Sequence, residues 1–277
     1  MTIGIWTFAF DGNDAGAVRA AAAEAESLGY AALWFGEYRG REAFTHASLL
    51  LNATTQLTVG TGIARFSERS PIAAEAAGRT LNEAHPCRFV LGLGGHLPGG
   101  ARTTMREYLD AMDAVDLAVS GEFRPRRLLA ALGPKMLELA AERTDGAHPY
   151  FVPPEHTAFA RETMGPGAYL AVEQAVVLDS DPLRAKRIAR EHVAQYVELA
   201  PHQRANLRRL GYSDDDLAGG GSDRLVDAIV AYRDEEEVAG RIRAHLEAGA
   251  DQVCVQVLSA GPEIPVEGWR RLAPLVR

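Results

Sequence analysis

Three glycine-bearing segments carry the residue types that could hold a flat, negatively charged ligand. In Ala131-Leu132-Gly133-Pro134-Lys135 an apolar run ends in glycine, and Pro134 stands where the first residue of a helix tolerates a missing N–H. The free N–H groups of such a helix start carry partial positive charge and bind anions, and Lys135 can add a full one. A tight turn without a ligand is the alternative reading of Gly133-Pro134. Gly92-Leu93-Gly94-Gly95-His96 closes a second apolar run. It is not a dinucleotide fingerprint, because Leu97 occupies the place of the third glycine in GxGxxG. It still lets a flat ligand or its phosphate lie against backbone with His96 as a donor, unless it is only a flexible turn. Gly60-Thr61-Gly62-Ile63 puts glycines inside a third run, a mark of a bulge or of close ligand approach. Arg65 and Arg69 follow and could meet an acidic ligand, or pair with nearby Glu68 at the surface.

Other chemistries find less support. The eight histidines are scattered without an HxH or HExxH pattern, so no metal site is expected, and no GxSxG nucleophile elbow is present. His46 and His245 fall in helix patterns and read as packing or surface groups. Lys135 and Lys186 are the only lysines, which leaves two candidates for any Schiff base. Binding of a phosphate joined to a flat ring is what remains.

The elements that must position these loops recur as a unit: an amphipathic helix, a glycine, two small or polar residues, and a short apolar strand. Copies end at Phe35, Val152 and Leu258, with Gly29, Gly146 and Gly249 where a helix C-cap needs left-handed backbone. The strands are near-continuous apolar runs, as in a parallel sheet covered on both faces. They are expected at about Gly4–Phe8, Ala32–Gly36, Leu57–Ile63, Phe89–Leu93, Arg127–Leu132, Pro149–Val152, Leu170–Leu178 and Gln252–Leu258. Helices are expected at Ala15–Leu28, His46–Ala53, Ile72–Glu83, Thr104–Val119, Lys135–Arg143, Pro154–Met164, Pro182–Val197 and near Gly268–Leu275. Eight such strands make an α/β fold of the TIM (β/α)8 type, with ligands at the strands' carboxyl ends. The seventh and eighth strands lie about 70 residues apart, so a helical insertion at about 198–234 is expected, with extra helices at Ser222–Tyr232 and Glu235–Ala248. The glycine triplet at 219–221 reads as a loop inside it rather than a linker, giving one domain over residues 1–277.

Length, 277 residues, suits one such barrel or two smaller domains, and the pattern decides for the barrel. With 29 basic and 37 acidic residues the net charge is −8, which argues against a general nucleic-acid partner. Apolar residues make up 47%, enough for a substantial core. Cys87 and Cys254 give neither a disulfide framework nor a zinc set and read as buried thiols. The N-terminus lacks a signal-peptide pattern and no run approaches the ~20 apolar residues of a membrane span, so a cytoplasmic protein with no membrane partner is expected.

The loops also match something known. The stretches AALWFGEYRGREAFTHASLLL, VGTGIARFSERSPIAAEAAGRTLNEAHPCRFVLGLGGH, MREYLDAMDA, ALGPKMLELAAERTDGAHPYF and GADQVCVQVL occur in the order of one family. Through them the whole chain resembles the bacterial luciferase-like family of flavin- and deazaflavin-dependent oxidoreductases, most closely a subfamily, common in actinobacteria, assigned to coenzyme F420. The resemblance implies a barrel with an insertion, a homodimer, and a ring seated at the strands' carboxyl ends. It places a non-prolyl cis peptide at Gly62-Ile63 behind the ring, and the phosphate at Gly94, Gly95 and His96 and at Leu132, Gly133 and Pro134. The activity implied is hydride transfer between F420 and a small organic substrate, with Glu37, Tyr38 and His96 as candidates for polar contacts or proton delivery. Dehydrogenases of the family carry an Asp-His pair after the second strand and a Glu after the first, where this chain has Glu37-Tyr38 and Thr7-Phe8-Ala9. The loop after the fourth strand is also short. Two rival readings follow: an FMN-dependent monooxygenase fed by a separate reductase, and a flavin-binding barrel without catalysis.

Overall fold

Parallel strands wrap into a closed barrel inside a ring of helices, in a computed structural model that describes residues 2–95 and 101–276. The strands are β1 (Thr2–Thr7), β2 (Ala32–Phe35), β3 (Thr58–Thr61), β4 (Ala64–Arg65), β5 (Phe89–Gly94), β6 (Arg126–Leu129), β7 (Gly146–Ala147), β8 (Tyr169–Val177), β9 (Val230–Ala231) and β10 (Gln252–Leu258). Neighbours pair in parallel from β1 to β8, with β4 continuing the line of β3 beside β5. The circle closes because β10 pairs with β1 (Thr2↔Gln252) on one edge and with β8 (Gln252↔Ala171 to Leu258↔Val177) on the other. This is the eight-stranded TIM barrel, with β9 as a short addition beside the end of β8.

The helices are α1 (Ala15–Ser27), α2 (Ala43–Leu51), α3 (Pro71–Ala84), α4 (Ala101–Asp113), α5 (Pro134–Arg143), α6 (Pro154–Met164), α7 (Pro182–Leu199), α8 (Pro201–Arg209), α9 (Asp223–Ile229), α10 (Glu235–Glu247) and α11 (Val266–Leu272). Side chains of Asp14, Glu42, Ser70, Asp181, Ser222 and Asp234 accept from first-turn N–H groups. Each such cap contributes about 1 kcal/mol. Glu42 explains why α2 starts three residues before the expected His46. α4 stops at Asp113 instead of Val119, where Arg124 takes the Asp113 carbonyl at 3.3 Å and Arg127 its carboxylate at 2.8 Å. Between β8 and β10 lie α7 to α10, and the glycine triplet forms a turn closed by Ser222 donating to Asp216. The expected helix over Ser222–Tyr232 ends at Ile229, because Val230 and Ala231 pair with Ala175 and Val176 instead. No helix among the described residues is long and apolar enough to cross a membrane.

Two expectations are corrected here. The sixth barrel strand is Gly146–Ala147, not Pro149–Val152, and Gly146 is a strand residue rather than a helix cap. Its φ is +152°, and a Cβ there would lie 1.8 Å from the Tyr169 carbonyl oxygen, so only glycine lets β7 approach β8. Gly146→Ala is expected to cost about 3–5 kcal/mol in urea unfolding, from backbone strain plus overpacking. Gly167→Ala is the control, as nothing lies within 4 Å of its Cβ position, and an equal small loss in both would refute the argument. Cys254 is buried as expected, whereas Cys87 is exposed, in the turn between α3 and β5 with φ 60°.

The barrel interior holds Trp6, Ala32, Trp34, Val90, Leu128, Ala171 and Cys254. A larger core fills the space between strands and helices, and a third cluster joins Phe151 to α7, α8 and α9.

Candidate functional site

The floor of the carboxyl-end mouth is built where β3 breaks. Gly62 N–H donates to Phe35 O at 2.7 Å, Glu37 N–H donates to Ile63 O at 3.3 Å, and the Gly62-Ile63 peptide is cis. The chain then rejoins the sheet, Ala64 opposite Leu93 and Arg65 opposite Gly94. A Cβ on Gly62 would lie 2.4 Å from Trp6 Nε1, and one on Gly94 2.4 Å from Ile63 Cδ1. Backbone is therefore packed directly on the ring of Trp6 and on Ile63, which only glycine permits at either position.

Beneath it, Trp6 Nε1–H donates to His148 Nε2 at 3.1 Å, and His148 Nδ1 donates to Ala171 O at 2.9 Å. Trp34 stacks on the same imidazole, 4.3 Å between centroids, and donates to Gln252 Oε1. Burial holds His148 down at about 4, so the ring stays neutral and can accept from Trp6. This buried polar column fixes the floor.

The rim treats the candidate residues differently. Both oxygens of Glu37 are occupied: Oε1 accepts from Ala43 N–H and Arg69, Oε2 from Arg65 N–H at 2.7 Å and Arg69 at 2.9 Å. Four donors satisfy its lone pairs, so Glu37 ties α2, β4 and Arg69 together and has no acceptor left to take a proton. Arg65 pairs with Glu68 as expected, but Arg69 is buried against Glu37. Tyr38 is 55% exposed, with Arg39 5.0 Å above its ring and Phe8 6.1 Å away. It remains at the mouth as a free hydroxyl-bearing ring. His96 lies outside the described residues. Gly95 follows the end of β5 with φ +114°.

Opposite, Tyr150 and Phe151 occupy the segment once expected to be strand. Tyr196 donates to Tyr150 OH at 2.8 Å, and Tyr150 donates to Gln256 at 2.8 Å. Phe151 stacks on Tyr196 and its N–H donates to the buried Glu173 at 3.0 Å. Glu173 Oε1, Gln203 Oε1, His192 Nε2, Asn206 Nδ2 and His156 Nδ1 are buried there without a hydrogen-bond partner. Native interiors pair such atoms with protein or ordered water. At its edge Leu132, Gly133 and Pro134 are half-buried, and Gly133 caps α5 with no side chain on the first-turn N–H groups. His156 donates to Leu132 O at 2.9 Å and holds that loop. A close-packed glycine floor and a helix start without a side-chain cap are what a ring carrying a phosphate could use.

A sequence profile described as luciferase-like monooxygenase matches residues 1–252. The chain belongs to the luciferase-like monooxygenase family. This luciferase-like chain is 27% identical, over 92% of each protein, to a Mycobacterium tuberculosis relative provisionally named a coenzyme F420-dependent oxidoreductase. Its fold is similar to that of an F420-dependent secondary alcohol dehydrogenase solved with an F420-acetone adduct, at TM-score 0.78 and 16% identity, covering 100% of this chain and 99% of the other. It is also similar to the FMN-bound oxygenating constituent of 3,6-diketocamphane monooxygenase of Pseudomonas putida, at TM-score 0.74 and 16% identity, covering 100% and 97%.

Within this luciferase-like barrel, sequence reasoning located the glycine loops but missed Trp6, His148, Tyr150 and Glu173. Trp6 and Trp34 carried a signal, two tryptophans at matching places in the first two strands. His46 and His245 are core groups, His46 edge-on to Phe10 and Phe35 and His245 bonded to Thr157 and Gln174.

Proposed function

We propose that this chain is an F420-dependent oxidoreductase that moves hydride between the deazaflavin and a small organic substrate. The observation that carries the reading is the close-packed glycine backbone at 62 and 94 together with the uncapped start of α5 at Gly133. The F420 assignment is supported by the kinship with the provisionally named mycobacterial oxidoreductase.

When bound, a deazaflavin supplies a two-electron hydride, and carbon in place of flavin's reactive nitrogen makes it a poor activator of oxygen. The residues of this chain orient and shield. Gly62, Ile63 and Gly94 present backbone and an apolar face to the ring, and the Trp6-His148 column keeps that face from yielding. Leu132, Gly133 and Pro134 offer the phosphate the N–H groups of α5, and Gly95 stands at the end of the neighbouring strand β5. Phe8, Tyr38 and Tyr150 line the substrate side with aromatic rings. Glu37 positions α2 and β4, which leaves the Tyr38 hydroxyl to hold a proton toward a substrate oxygen.

The test is fluorescence titration of the apo-protein with F420 and, separately, with FMN, repeated with Gly133→Asp. The backbone at Gly133, φ −95° and ψ 159°, suits any residue, so this variant keeps its fold. F420 is expected to bind more tightly than FMN, and the aspartate to weaken it about 10- to 100-fold by like-charge repulsion at the helix start. Preference for FMN would replace the proposal with a monooxygenase, and binding of neither would end the cofactor reading.

A further inference from the structure

We propose that Arg209, on the helix α8 between β8 and β10, is the charged half of an anion site whose other half is the start of α5, and that this site takes a phosphate ester. The inference rests on the proposed binding of a phosphorylated ring at this mouth and adds a residue from the insertion to it.

Position comes first. A Cβ built on Gly133 would lie 3.3 Å from Arg209 Nη2 and 3.7 Å from its Cζ, so the guanidinium stands over the N-cap of α5. Two sources of positive charge, a helix start and an arginine, thus face the same small volume. A cation facing a helix N-terminus is mildly repelled by it, and an anion held between them removes that repulsion.

Pairing comes second. Among the described residues Arg209 has no carboxylate partner; its side chain donates to Asn206 Oδ1 at 2.9 Å, a neutral acceptor. The preceding Arg208 instead makes two bonds to Asp214. Asn206 is 1% exposed, and its amide Nδ2, on the same carboxamide that holds Arg209, has no partner. An unsatisfied buried N–H2 beside a free guanidinium is a donor set awaiting acceptors. His156, also fully buried, is tied to Leu132 O on the other side and is kept neutral, at about 4, by burial and by the nearby Arg209 charge. It fixes the loop without adding a competing charge.

Rigidity comes third. Gln203 Nε2 donates to Tyr150 O at 3.0 Å, and Leu207 is fully buried, so α8 is docked on the rim and carries the exposed Arg209 at its last turn. On a chain of net charge −8, a phosphate must find its positive potential locally.

The experiment compares ligands with and without phosphate: F420 against its unphosphorylated deazaflavin chromophore, and FMN against riboflavin, for wild type, Arg209→Ala and Arg209→Lys. Arg209→Ala is expected to weaken the phosphorylated member of the bound pair about 10- to 100-fold and its unphosphorylated partner less than about 2-fold, with Arg209→Lys recovering part of the loss. The salt dependence of the phosphorylated ligand should flatten in the alanine variant. Which pair responds identifies the phosphate as a diester or a monoester. Equal weakening of both members, or of neither, overturns the role of Arg209 while the ring site stands. Wild type that binds no ring, phosphorylated or not, overturns the cofactor reading. In that case thermal shift with inorganic phosphate decides for the anion site alone: a shift lost in Arg209→Ala supports it and no shift removes it.

Discussion

Glu75→Ala is expected to lower stability by about 3–5 kcal/mol, the range for stripping a buried charge network of its partner. Glu75 on α3 is fully buried, and one carboxylate serves three guanidiniums: Oε1 accepts from Arg79 at 2.7 Å and Arg124 at 2.8 Å, Oε2 from Arg127 at 2.8 Å. Arg79 and Arg127 are themselves buried. Without Glu75, Arg127 keeps Asp113, but among the described residues Arg79 retains only the Val119 carbonyl. A buried cation with one neutral acceptor is the costly species, and the loss comes from it more than from the bonds removed. Glu75→Gln should cost less, since it still accepts but no longer neutralises. Urea midpoints for the two variants check this; an alanine loss below about 1 kcal/mol would mean that water reaches both arginines.

That network was invisible in the sequence because its members lie up to 52 residues apart and none sits in a recognisable motif. Elements punctuated locally were legible. α6 spans the expected Pro154–Met164, since proline opens it and Gly165, at φ +78°, closes it. Gly29 and Gly249 likewise carry the left-handed backbone expected after α1 and α10. The second copy of the pattern misled because Gly146 serves sheet closure instead of a helix end. The apolar run Pro149–Val152 is buried without being strand, as Phe151 turns at φ 59° to give its N–H to Glu173. Hydrophobicity reports burial, and it cannot by itself distinguish a strand from a buried loop.

The site divides the same way. Glycine positions were readable because close packing and turns demand small residues, as at Gly62 against Trp6 and Gly94 against Ile63. Glu37 was chosen for its type and place. What sequence could not reveal is that Arg69, 32 residues on, fills its lone pairs. Trp6 and His148, 142 residues apart, meet only because β1 and the segment after β7 face one interior. Arg209 comes from the insertion, whose docking on the rim depends on single contacts such as Gln203 to Tyr150. Such contacts belong to tertiary geometry, and no local spacing encodes them.

Glu173→Gln is expected to change how stability depends on pH. Glu173 on β8 is buried, with Oε2 accepting from Phe151 N–H and Oε1 unpaired, and burial pushes its carboxyl up to about 8. In the unfolded chain the same carboxyl loses its proton from about 4.5. Between these values the folded protein keeps a proton that the unfolded chain has released, so stability falls as pH rises from 4.5 to about 8. At about 1.4 kcal/mol per pH unit the whole window costs roughly 5 kcal/mol, taken as an order of magnitude. Glutamine cannot ionise and removes this slope. It also buries an extra N–H2, a fixed penalty of about 1–3 kcal/mol at every pH. The variant should therefore be less stable than wild type at pH 5 and more stable at pH 8. Subtracting the two pH profiles cancels every other titrating group they share, so the difference reports Glu173 alone. A difference that stays constant from pH 5 to 8 would place an ionised, hydrated carboxylate at this position. A crossing would establish a neutral acid beneath Phe151, able to donate from Oε1 into the mouth at neutral pH where an ionised glutamate could only accept.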